Sequence, residues 1–60
     1  MGAMERAIDA ALQVFDSIIA EGIEDEKLID REIKVAAKKH RVSVKEVREQ
    51  LDIMIQESMP

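Results

Sequence analysis

Cysteine is absent from this chain, and so is every aromatic residue except Phe15. Without cysteine there is no disulfide to staple a fold and no thiolate to hold a metal. The absence also fits a reducing compartment. The lone histidine, His40, cannot build a zinc site, which takes about four nitrogen or sulfur ligands. Two glycines and one proline leave little material for long loops. Long apolar runs are missing too. No stretch approaches the ~20 residues of a transmembrane helix, and none reads as the core of a signal peptide. These gaps point to a cytoplasmic location and away from a membrane. There is also no Ser/His/Asp arrangement, no glycine-rich phosphate loop and no metal-ligand spacing. A substrate pocket needs more chain than this. The sequence therefore predicts no enzyme, no small-molecule substrate, no cofactor and no metal.

What is present fits one domain over residues 1–60. The opening Met1-Gly2-Ala3 reads as a cloning remnant ahead of a native Met4. A core this small stabilises a fold only marginally, and chains of this size often lean on disulfides, a metal or a partner. With the first two excluded, self-association is the remaining route. Net charge is −4 and unevenly spread. Residues 1–30 hold eight acids against two bases, a balance of −6, while residues 31–60 hold five acids against seven bases, a balance of +2. Bulk acidity argues against a non-specific nucleic-acid coat and leaves room for a focused basic patch.

Apolar residues recur at helical spacing throughout. The first helix is expected from about Met4 to Glu21. Met4, Ile8, Leu12, Phe15 and Ile19 step by threes and fours, with Ala7, Ala11, Val14 and Ile18 beside them. Together they cover about 160° of the helix surface. That width suits a central helix packed by two others or by a second chain. Gly22 supplies a left-handed stop, with Ile23 folding back on Ile18. The second helix starts near Glu24-Asp25-Glu26, where acids favour the positive end of the dipole. It ends near Lys38-Lys39-His40-Arg41, where cations favour the negative end. Its inner stripe reads Ile29, Ile33, Ala36, Ala37 and His40. The third helix has the clearest start. Ser43-Val44-Lys45-Glu46 is a capping box, flanked by Val42 and Val47 as a hydrophobic staple. Its inner stripe reads Val44, Val47, Leu51, Met54, Ile55 and Ser58. The expected fold is all-α: a compact three-helix bundle whose second and third helices form a helix-turn-helix-like unit.

Residues 33–55, IKVAAKKHRVSVKEVREQLDIMI, carry the pattern that points furthest towards function. The stretch resembles helix-turn-helix DNA-binding domains, and among them that of the sporulation response regulator. On that resemblance Ala37 is the small packing residue, Val42 lies in the turn and Val47 faces inward. Lys45 and Arg48 would then face nucleic acid, with Lys38, Lys39 and Arg41 on phosphates. The pattern departs from the family at Arg41, where glycine is usual, and at His40, where an apolar residue is usual. Glu49 and Asp52 also put acids on the face that would meet phosphate.

Two further features bear on binding. Lys34, Lys38 and Arg41 repeat at i, i+4 and i+7 and share a face; with Lys39, Lys45 and Arg48 they form a basic cluster suited to phosphate or to an acidic protein. Leu28 and Val35, seven residues apart, lie off the inner stripe of the second helix, and Ile53 lies off that of the third. A monomer would leave them in water. The first expectation is therefore a small regulatory or accessory binding module that works by protein–protein contact. It would self-associate, most simply as a dimer, through Leu28, Val35 and Ile53. The alternative is a small DNA-binding regulator that reads with the helix over residues 43–58.

Overall fold

The computed structural model describes residues 2–58. It contains three helices: α1 (Ala3–Glu21), α2 (Glu26–His40) and α3 (Val44–Ser58). There is no strand among the described residues. α1 packs against both other helices, which touch each other more sparingly. It is the central helix its broad apolar face predicts.

Short chemical signals set each boundary. Gly22 adopts φ 63° and ψ 38°, a left-handed conformation that costs glycine little, and the Ile23 N–H donates back to the Ile18 carbonyl at 3.1 Å. Asp25 then caps α2, its Oδ1 accepting from the Lys27 N–H at 2.9 Å. Lys38, Lys39 and His40 complement the dipole at the other end of α2. Arg41 follows in the left-handed region at φ 57° and ψ 47°. The Val42 N–H reaches the Ala37 carbonyl at 3.0 Å and completes a Schellman-type stop. Ser43 opens α3. Its Oγ accepts from the Glu46 N–H at 3.1 Å and donates to Glu46 Oε1 at 3.0 Å. Glu46 does reach back, but to the cap's hydroxyl.

The core consists of Ala7, Ala10, Ala11 and Val14 from α1, Ile33, Ala36 and Ala37 from α2, and Val47 and Leu51 from α3. Most of these are alanines. Small side chains let helix axes come close, but each buries little apolar area. Phe15, Ile18, Ile29, Val42, Met54 and Ile55 close over this centre from the sides.

The structure corrects the expected facing of α1. Met4, Leu12 and Ile19, assigned inward from their periodicity, are 61%, 46% and 65% exposed. The alanine row takes the centre because two helices converge on α1 and only small residues fit where they meet. The larger residues are displaced to one flank. Two corrections apply to α3. Val44 is 45% exposed, at the first turn and outside the core. Ser58 is exposed, its hydroxyl donating to the carbonyls of Met54 and Ile55. No helix among the described residues is long and apolar enough to cross a membrane.

Candidate interaction surfaces

Three outer surfaces follow from how the helices sit. The first is the outer edge along which α1 and α3 pack together. The Gln50 amide donates to Met4 Sδ at 3.4 Å. This contact places the Gln50 edge of α3 beside the Met4 edge of α1. Ile53, three residues on, and Glu57, four residues beyond that, continue the same edge. On α1 the row Met4, Ile8, Leu12, Phe15, Ile19 runs alongside. Ile8 and Phe15 are half-buried and the other three exposed. Ile8, Leu12, Phe15 and Ile19 alternate steps of four and three, the spacing of a helix-pairing seam. Asp9 and Asp16 rim this seam, each about 60° round the helix from Leu12 or Ile19.

The second surface is the outer face of α2. Lys27, Arg31, Lys34 and Lys38 recur at i, i+4, i+7 and i+11 within about 60° of arc. A shallow depression lined by Lys27, Asp30, Arg31 and Lys34 marks its middle. Leu28 and Val35 border the row. The sequence reading began this row at Lys34 and missed Lys27 and Arg31, though their spacing was visible.

The third surface is the α2–α3 seam, and it is ionic. Arg48 Nη1 donates to Asp30 Oδ1 at 2.6 Å, Nη2 reaches Glu26 Oε2 at 3.4 Å, and Nε lies 3.6 Å from Asp52 Oδ1. Slight desolvation lowers the Arg48 pKa, but attraction from Glu26, Asp52 and Asp30 outweighs it, and the net shift is upward. This pairing bears on both site predictions. Arg48, expected to face nucleic acid, is held by three carboxylates of its own chain. Asp52, expected as a free acid on the same face, is one of them.

The seam also fixes where the displaced apolar residues lie. Leu28, Val35 and Ile53 are 44%, 55% and 47% exposed. Leu28 is about 160° round α2 from Asp30, and Ile53 about 140° round α3 from Arg48. They face opposite outer edges, so the structure does not join them into one surface. Ile53 belongs with the α1 row; Leu28 and Val35 belong with the basic row of α2.

In the turn, Ala37 and Val47 are buried and Val42 half-buried, positions that any capped helical hairpin also requires. Lys38, Lys39, Arg41 and Lys45 are exposed. Half-buried His40 places Nε2 2.9 Å from Gln13 Oε1, tying the end of α2 to α1. Among the described residues, no group of three His, Cys, Asp or Glu side chains gathers to hold a metal. Comparison with family models, with curated proteins and with solved structures finds no match to the chain.

Proposed function

We propose that this chain is a small non-enzymatic binding module that acts through protein–protein contact, by associating with itself, in a regulatory or accessory role. One observation carries the reading: the exposed apolar row of α1, continued by Ile53 on α3. Burying a Leu or Ile side chain is worth about 1.5–3 kcal/mol. Leu12, Ile19 and Ile53, with Met4 beside them, left in water on so small a domain form a surface that a partner would stabilise by covering. The alanine-rich core supports the same reading, because it leaves the isolated chain little stability of its own.

DNA binding through α3 is the weaker reading. Arg48, one of the two cations expected to face nucleic acid, is engaged within the molecule, and Glu49 remains exposed beside it on α3. Light scattering of the chain from low to high micromolar concentration, with and without duplex DNA at low salt, separates the two. Self-association gives a mass that climbs with concentration and ignores DNA. A constant monomer mass that shifts only when DNA is added would reverse the ranking.

A further inference from the structure

The outer face of α2 differs in chemistry from the α1 row, and from it we infer a second partner: this face lies against the surface of a bilayer that carries anionic lipid. Rotation about the helix, at about 100° per residue, defines the face. Lys27, Arg31, Lys34 and Lys38 take about 60° of arc. Val35 and Leu28 lie about 40° and 60° beyond Arg31, and Lys39 lies about 20° beyond Leu28. The whole arc is about 140° wide. Its centre is about 180° from buried Ile33, Ala36 and Ala37, so it points straight out of the bundle. α2 places seven residues on this arc, and all seven are exposed. Five are cations and two are apolar; no acid and no uncharged polar side chain stands among them.

These charges go unanswered by the rest of the molecule. Among the described residues, the ion pairs are those of Arg48. Asp30 borders Lys34 in the depression, but Arg48 holds it at 2.6 Å. Glu32, half-buried, borders Lys39 on the other side. Lys27 and Arg31, Arg31 and Lys34, and Lys34 and Lys38 are like charges three or four positions apart, an arrangement that weakens a helix. A surface of opposite charge relieves it.

The width and content of the arc favour a bilayer over other polyanions. A single acidic helix covers a seam narrower than this arc, whereas long lysine and arginine stems reach a flat surface from all of it. A nucleic-acid backbone would match the cations and leave Leu28 and Val35 in water. At a lipid interface both enter below the headgroups while the cations stay among them. Charge is also divided along the right axis. Residues 26–41 hold six bases against three acids, a balance of +3, and the rest of the chain holds three bases against ten acids, a balance of −7. With α2 on the surface, α1 and α3 stand behind it. Contact of this kind needs no membrane-crossing helix.

Flotation of the full chain with unilamellar vesicles tests the contact. One set is pure phosphatidylcholine; the other contains about one-third phosphatidylserine. The native chain is expected to float with the second set only, and to be released as salt rises. Each Lys or Arg near an anionic surface is worth about fivefold in partition, so Lys34→Gln with Lys38→Gln should weaken binding about 25-fold. Leu28→Ser with Val35→Ser keeps every charge and should weaken it about fivefold or more. All four side chains are exposed, and circular dichroism checks that each variant keeps its helices.

Equal binding to both vesicle sets, binding to neither, or native binding by the Leu28→Ser, Val35→Ser chain overturns the bilayer contact. So does tighter binding to duplex DNA or to polyglutamate titrated at the same salt; either would assign the face to nucleic acid or to an acidic protein. The inference does not rest on self-association, which uses the row of α1 and is read separately by mass.

Discussion

Arg48 of α3 and Asp30 of α2 form the shortest ion pair among the described residues, at 2.6 Å across the seam between these two helices. The pair is more than half open to water on the Asp30 side, so its worth is modest. Exposed pairs contribute about 0.2–1 kcal/mol each, and three share one guanidinium here. Arg48→Met should therefore lower the unfolding free energy by about 1 kcal/mol at low salt, and by less in concentrated salt. Urea denaturation at two salt concentrations reads this. The sign of the pH effect follows from the raised pKa. A cation with a raised folded-state pKa contributes stability that is fully present below its unfolded value and lost only as pH rises through the folded one. The guanidinium therefore adds no pH dependence between pH 5 and 9, and a stability loss in that window traceable to Arg48 would contradict the assignment.

The start of α3 rests on Ser43. Ser43→Ala removes the acceptor of the Glu46 N–H and should cost about 1 kcal/mol. An unchanged denaturation midpoint would mean that α3 begins elsewhere.

Arg41 and Gly22 occupy the same left-handed region with opposite consequences. An L side chain there costs about 1 kcal/mol, which Arg41 bears and Gly22 avoids. Arg41→Gly should raise the melting temperature. Gly22→Ala should lower it by a similar energy, even though nothing lies within 4 Å of the added methyl group. Equal and opposite shifts in calorimetry would identify backbone conformation as the cause.

Position along α3 separates two apolar residues of one stripe, Val44 and Leu51. Leu51 is fully buried, so Leu51→Ala should cost about 2–5 kcal/mol and can unfold a domain this small. Val44→Ala, at the exposed first turn, should cost well under 1 kcal/mol. Similar losses at both sites would restore Val44 to the core.

These contrasts show what the sequence could and could not reveal. The helix ends were legible because caps are local chemistry. Ser43 and Glu46, Asp25, and the Gly22-Ile23 pair act within a few residues of themselves. The facing of α1 was not legible in the same way. Its apolar face spans both the alanine row and the Leu12–Ile19 row, and periodicity alone does not say at which point along that arc two helices converge. Ala10 drew no attention because it is small, yet it lies at the centre of the core. The basic row was readable as far back as Lys27 from spacing alone. The engagement of Arg48 was not, because it depends on how α3 lies across Glu26 and Asp30, residues about twenty positions away.

Sedimentation equilibrium of the native chain beside Leu12→Glu with Ile19→Glu tests the central claim, that the outward row of α1 is an association face. The account expects the native mass to climb above 6.8 kDa as concentration rises through the micromolar range. It expects the variant to stay at the monomer mass with its helical signal intact. A native chain that remains at 6.8 kDa throughout, or a variant that associates as the native chain does, would contradict it.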